Sequence, residues 1–407
     1  MRNESALIHF RDEVIRPQRQ IMLEQLEQTY QGWRPELVRE FIASFRAWCQ
    51  QLLEHQAAGK KGSIGYLTYS MLRTAMQNGN MTYLGEAQDE NWFLDPQPVR
   101  CGYEAKWAYL PLEKWKEAVM SRRREYAGQI SEMDVEREMQ HEAVYVHGYV
   151  VALIRQAMPE AVQLEEFLQL DKEPVFEIRV GEYLDHSEVV YKLDERNLDS
   201  AEVKEWLEAG KEADYAYEVY RELDLADGDY SALDFRYARF EDTRLKDSQV
   251  AECMLVGTRF ERCTLAGANF AGSYLHEASF EHCELQGADF SFVEGMSGTA
   301  GTEDWDIPGF IGVNFAGADL SHANFTGANL RGARFVGANL TGASFIGANV
   351  QGADFTDAVL TDVDFTGAIL EGALIDDNIA ASSIQAGRRA LHVYFAEAEG
   401  GLNLDGA

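Results

Sequence analysis

The sequence predicts a β-solenoid joined to an N-terminal α+β, mostly helical domain, on three observations. Large apolar residues recur at every fifth position over 235–290 and 310–375, and small residues stand two places before them. Residues 1–222 lack this register and instead show helical spacing and strand pairs around turn signals. A strand of period two would throw a five-residue repeat onto alternating faces, and a helix of 3.6 residues per turn would spread it around the cylinder. The chain must therefore turn a corner every five residues.

The register runs through Phe235, Phe240, Leu245, Val250, Leu255, Phe260, Leu265, Phe270, Leu275, Phe280, Leu285 and Phe290. It resumes at Phe310 and continues from Phe315 and Leu320 to Leu370 and Ile375. The small partners include Ala238, Thr243, Ser248, Cys253, Thr258, Cys263 and Ala268, then Ala318, Ala323, Ala328 and Ala333; Val313 and Val363 are the bulkiest of the second block. With the large and the small residue inward, four pentapeptides close a square, and successive coils stack at strand spacing, about 4.8 Å. Residues 20 apart then share a face. On that count Leu245, Leu265 and Leu285 are followed by Phe325, Phe345 and Phe365, and Phe240, Phe260 and Phe280 by Leu320, Leu340 and Leu360. Residues 291–309 break the pattern, either as an irregular coil or as an extruded loop; Gly295, Gly298, Gly301 and Pro308 favour the loop.

The unit A-(D/N)-(L/F)-x-x, at Ala268-Asn269-Phe270, Ala288-Asp289-Phe290, Ala318-Asp319-Leu320 and Ala353-Asp354-Phe355, resembles that of the pentapeptide repeat proteins. The resemblance covers about 223–375 and implies their right-handed quadrilateral β-helix. It also implies two functional expectations: some members resemble B-form DNA in width and charge and occupy the DNA-binding saddle of gyrase, and some dimerise through a C-terminal segment.

Ahead of the repeats, 35–57 places Leu37, Phe41, Phe45, Trp48 and Leu52 at helical spacing, with Pro35 at the expected helix start. Residues 64–86, around Asn78-Gly79, and 174–194 read as hairpins. Between them, 112–127 and 132–157 read as helices, the latter capped by Ser131 with Asp134 three places on. Two further helices, 201–210 and 212–222, lead into the first coil, where a solenoid needs its end covered. The chain thus divides into an α+β domain with a helical cap (1–222), the repeats (223–375) and a C-terminal cap or dimerisation segment (376–407, with 388–399 as the capping stretch).

A formal charge of −32, from 68 acidic and 36 basic residues, argues against direct nucleic-acid binding, because a phosphate backbone must be neutralised by Lys and Arg. Partners steered by charge should be proteins with a basic surface. No apolar run reaches signal-peptide or membrane-span length, so the expectation is a soluble cytoplasmic protein without membrane contact. Five cysteines with no CxxC pair indicate neither a zinc site nor a disulfide framework.

Few constellations carry chemistry. Glu138 and His141 have the Glu-x-x-His spacing of a di-iron helix, with His147 nearby, but no second copy exists, and a solvated, charged helix face is expected. Gly59-Lys60-Lys61-Gly62-Ser63 lacks the earlier glycine of a phosphate loop and reads as a turn. Cys263 and Cys283 occupy small inward slots and read as filler; His276, His282 and His322 fall outside the solenoid. No catalytic residue, metal ligand or cofactor is indicated. The segment Glu303-Asp304-Trp305-Asp306, an aromatic flanked by acids, is either a partner anchor or, since Trp305 keeps the five-residue register, a plug in an irregular coil.

The function expected is that of a non-enzymatic protein-interaction scaffold on an acidic rod, monomeric or dimeric through its C-terminus. The alternatives are a DNA mimic acting on gyrase or another topoisomerase, and an N-terminal domain with enzymatic or ligand-binding activity. Acid distribution weighs against the DNA mimic, because 310–375 contribute only 6 acids and 2 bases.

Overall fold

In the computed structural model the described residues are 4–73, 81–210, 215–297, 311–375 and 394–395. They divide into two compact units, one ending at Arg196 and one beginning at Asn197, each with its own apolar core.

The first unit is a mixed five-stranded sheet with helices against one face. Glu4–Phe10 (α1), a π-helical turn Arg11–Ile15 and Arg16–Ala57 (α2) follow one another directly. Leu26, Tyr30, Leu37, Phe41, Phe45, Trp48 and Leu52 recur on the buried side of α2. Pro35 therefore does not start the helix but lies inside it. Its missing N–H removes the intrahelical bond to the Gln31 carbonyl; both residues are on the exposed side, while buried Tyr30 and Leu37 hold the helix on either side. Gly59 at φ 63 ends α2, with the Lys60 N–H returning to the His55 carbonyl.

Strands Ile64–Met71 (β1), Thr82–Gln88 (β2) and Val99–Glu104 (β3) precede helices Lys106–Arg123 (α3), Glu132–Ala161 (α4) and Glu165–Leu168 (α5); Lys172–Glu182 (β4) and Ser187–Asp194 (β5) follow. Strand order is β3-β2-β1-β4-β5, antiparallel except for the central β1–β4 pair. The strand pairs of both expected hairpins are present, as β1–β2 and β4–β5; the Asn78-Gly79 turn lies outside the described residues. The Ser131–Asp134 capping box forms at the start of α4. Leu67, Tyr69, Met71, Tyr83, Phe176, Ile178 and Val180 meet the helices on one sheet face. No helix among the described residues is long and apolar enough to cross a membrane.

The second unit opens with Ser200–Glu208 (α6), capped by Asp199. Val203 and Leu207 join the core of the first coil with Tyr215, Tyr220 and Phe235. The helix expected over 212–222 is not formed where the chain is described: 215–222 already belong to the first coil, with Tyr215 and Tyr220 inward. Parallel strands Val219–Arg221 (β6), Arg239–Glu241 (β7) and Arg259–Glu261 (β8), then single bridges, link residues 20 apart. The inward positions are buried along the coils, apart from partly buried Glu218 in the first and Ala368 and Leu370 in the last. Phenylalanine rings stack along two columns, as in Phe240–Phe260 (4.8 Å), Phe260–Phe280 (4.7 Å) and Phe325–Phe345 (4.6 Å). Rings of neighbouring columns meet edge to face.

The assignment of faces across the break differs from the simple count. Ser279, Glu284, Asp289 and Glu294 bridge Asn314, Asp319, Asn324 and Asn329, which lie 35 residues on in the first and last two cases and in Glu284–Asp319, an excess of 15 over one coil of 20. Phe280 therefore stacks on Phe315 (5.2 Å) and Phe290 on Phe325 (5.2 Å), while the Leu285 N–H bonds the Asp319 carbonyl beside Leu320. Phenylalanine continues on phenylalanine and leucine on leucine, which close packing prefers over the mixed columns of the count by twenties. Gly295 holds the inward place between Leu275 and Leu330.

Of the C-terminal segment only Tyr394–Phe395 (β10) is described, paired in parallel with Leu374–Ile375 (β9).

Candidate interaction surfaces

Away from the break, each pentapeptide places one residue at a corner with φ between 48 and 73. In the block 311–375 this residue is glycine at 317, 327, 332, 337, 342, 347, 352, 367 and 372, and His322, Asp357 and Asp362 at the others. Earlier coils put Glu222, Asp227, Asp242, Asp247, Glu252 and Glu277 there, although a left-handed conformation costs a residue with a Cβ about 1–2 kcal/mol. Several non-glycine corner side chains lie over a glycine one coil on. A Cβ at Gly257 would come within 2.2 Å of the Tyr237 ring, and one at Gly317 within 2.2 Å of His282. His282 and His322 are accordingly exterior; His276 is partly buried, and burial lowers its pKa.

Outward side chains are tied from coil to coil. The first block uses ion pairs: Arg244 with Asp224 (3.0 Å), Arg262 with Asp242 (2.7 Å) and Arg221 with Glu241 (2.7 Å). The hydrogen bond from Arg262 lowers the pKa of the Asp242 carboxyl. In the second block amides take over: Asn339 donates to Asp319 (3.0 Å) and Asn349 to Asn329 (3.3 Å). Burial acts to raise the Asp319 pKa, but donors from Gln286, Ser321 and Asn339 bring it below the ordinary value.

Glu303, Asp304, Trp305 and Asp306 lie outside the described residues. Glu138 and His141 form no metal site; among the described residues no group of His, Cys, Asp and Glu is placed to hold a metal ion. The solvated helix face expected there is also corrected. Glu138 and Glu142 are buried and accept from Arg11 (2.7 Å) and Arg19 (2.6 Å) at the N-terminal end of the chain. Burial raises the Glu142 pKa against the opposing effect of Arg19. Cys263 and Cys283 are buried filler whose thiols donate to the Phe240 and Phe260 carbonyls. Burial pushes both pKa values up, that of Cys283 to about 12.

Three features of the first unit have no signal in the sequence. The Tyr83 hydroxyl lies 2.8 Å from His147 Nδ1 and 2.9 Å from the Tyr109 hydroxyl, which donates to Met71 Sδ. Burial brings the His147 pKa down to about 4, so the ring is neutral near pH 7. A groove of about 580 Å³ between α2 and α3 is lined by Trp33, Leu37, Trp107, Leu110 and Pro111. Lys61, in the turn after α2, makes a buried ion pair with Asp95. Burial acts to raise the Asp95 pKa, but Lys61 and the backbone N–H groups of Gln97 and Asp89 lower it overall.

Two family models match the second unit: pentapeptide repeats, in eight copies, over 310–345 and 338–375, and a pentapeptide repeat region over 220–290. No curated protein matches the chain. Among solved structures it is similar to QnrB1, a plasmid-mediated fluoroquinolone resistance protein, at 22% identity over 45% of this chain and 86% of that one, with a TM-score of 0.28. HetL, a pentapeptide repeat protein involved in heterocyst differentiation regulation in the cyanobacterium Nostoc sp. strain PCC 7120, matches at 22% over 44% and 92%, TM-score 0.13. Rfr23 from the cyanobacterium Cyanothece 51142, also a pentapeptide repeat protein, matches at 28% over 30% and 61%, TM-score 0.11. Residues 220–290 and 310–375 are thus pentapeptide repeats, which make the solenoid of the second unit a pentapeptide-repeat domain.

Proposed function

We propose that the chain is a non-enzymatic interaction scaffold whose acidic first coils, 215–297, bind a protein with a basic surface. One observation carries this reading. Glu222, Asp227, Asp242, Asp247, Glu252 and Glu277 occupy left-handed corners that the second block fills mostly with glycine, with acids at only Asp357 and Asp362. The solenoid does not need charge at those places, and backbone preference opposes it, so the residues stand where strain is typically retained for function. The inter-coil ion pairs and amide bonds hold the neighbouring side chains in place, which lowers the ordering cost of association.

The test is a variant with Asp227, Asp247 and Glu252 replaced by glycine. Its stability should hold or rise, because each change relieves left-handed strain, while capture of a basic partner by the full chain should weaken. Unchanged capture would sink the proposal.

Gyrase is the narrower candidate, favoured by the 14 acids against 6 bases over 223–294 and opposed by the nearly neutral second block. Gyrase supercoiling and drug-stabilised cleavage should respond to the full chain and less to the glycine variant. Indifference in both assays would remove gyrase and leave the scaffold reading standing.

A further inference from the structure

The connection between β2 and β3 is held with unusual care. Asp95, its side chain 3% exposed, pairs with Lys61, 4% exposed. It also accepts from the backbone N–H of Asp89 (3.0 Å) and of Gln97 (2.8 Å), so one carboxylate ties both ends of the loop to the turn after α2. Inside this frame Trp92 takes φ 53, a left-handed conformation that is rare for a bulky residue. Its ring stacks on Tyr66 (4.9 Å, 13°), with the Arg179 guanidinium 5.1 Å from the ring centroid. The indole N–H is buried and has no acceptor among the described residues. A desolvated ion pair, a strained backbone and an unpaired donor all cost stability.

Covering Tyr66 would require only Trp92. Yet the same short helical turn pushes the next two side chains outward: Phe93, stacked on Trp92 at 4.6 Å, is 39% exposed, and Leu94 is 84% exposed. Adjacent exposed apolar residues on a rigid mount have the makings of a binding hot spot. Acids flank them: Asp89 is partly exposed and Glu90 is exposed. That sign disfavours an anionic lipid surface and favours a pocket with a basic rim.

We propose that Phe93 and Leu94 form a preorganised apolar finger that enters a pocket, rimmed by lysine or arginine, on a protein partner. The proposal rests on the scaffold reading above and adds a contact on the first unit.

The probe is the protein retained from a soluble cell extract by the immobilised full chain, then purified and titrated against full-length variants. Phe93→Ser with Leu94→Ser should weaken its affinity about tenfold or more, with the circular dichroism of the chain unchanged. Leu94→Arg should weaken it further by repulsion from the rim. Lys61→Met should weaken it without altering the finger itself, and restoring a cation with Lys61→Arg should recover part of the loss. Equal affinity of the wild type and the double serine variant would overturn the finger; if the glycine corner variant still lost binding, the scaffold reading would survive. Retention of no protein by the wild type would overturn both. Binding to neutral phosphatidylcholine vesicles that depended on Phe93 and Leu94 would assign the finger to lipid and overturn the pocket.

Discussion

Because the coils on either side of the break are joined by an excess of 15 residues, shortening the chain by that amount should leave the solenoid intact. Deleting 297–311 joins Met296 to Gly312 and brings Phe315 into the place one coil above Phe280, where it already stacks at 5.2 Å. Gly312 would then occupy the left-handed corner, which glycine adopts without Cβ strain. A deletion five residues longer, 297–316, forces a slip of one side: Phe280 would meet Leu320, Leu285 would meet Phe325, and Phe290 would meet Leu330. That slip removes the Phe280–Phe315 and Phe290–Phe325 stacks, each worth about 0.5–1.5 kcal/mol beyond area burial. It also sets Phe335 over the Gly295 place, where overpacking adds about 1–3 kcal/mol. The longer deletion should therefore cost several kcal/mol more than the shorter. Hydrogen exchange followed by mass spectrometry reads this locally: amides of 275–295 and 315–335 should keep wild-type protection in the shorter deletion and lose it in the longer. Similar protection in both, or loss in the shorter alone, would refute the column assignment.

Three further outcomes follow from the cores. Phe345, fully buried and ring-stacked on Phe325 and Phe365, should lose about 3–5 kcal/mol as Phe345→Ala. Asn349→Ala, which removes the bond donated to Asn329 and the one accepted from the Gln351 N–H, should lose about 1–3 kcal/mol, as compared by urea midpoints of the repeat domain. Gly295→Val puts a Cβ within 2.4 Å of Val313 Cγ2 and should cost about 1–3 kcal/mol, seen as a fall in melting temperature. His147, held at about 4 by burial, is depressed below its unfolded value near 6.5. The unfolded chain then binds the extra proton between those values, so stability should be full above about pH 6.5 and fall by roughly 3 kcal/mol as pH drops to 4. His147→Gln should flatten that part of the profile.

What the sequence made legible was whatever depends on local spacing. The inward slots are set by five-residue recurrence, and the Ser131–Asp134 box by a separation of three. Long-range pairing erased the rest. Glu138 and Glu142 look solvated on their own helix, and only arginines more than 120 residues earlier turn that face into a buried one. Pro35 obeys its local rule at a helix start, but tertiary burial of Tyr30 and Leu37 overrides it. The columns were recoverable in principle, since a step of 35 across the break puts Phe on Phe and Leu on Leu, whereas a count by 20 mixes them.

Corner composition separates structure from function in a repeat of this kind. Where the corner is glycine, as at Gly337 and Gly347, the residue answers only to a positive φ. Acids at the same geometric place, as at Asp227 and Glu252, carry a conformational cost that packing does not return, because they point to solvent. The nine glycine corners of the second block show that the coil closes without them. Six acids stand at such corners in the first coils, from Glu222 to Glu277, against two, Asp357 and Asp362, in the second block, so corner charge is concentrated on the first coils, where the proposed binding surface lies.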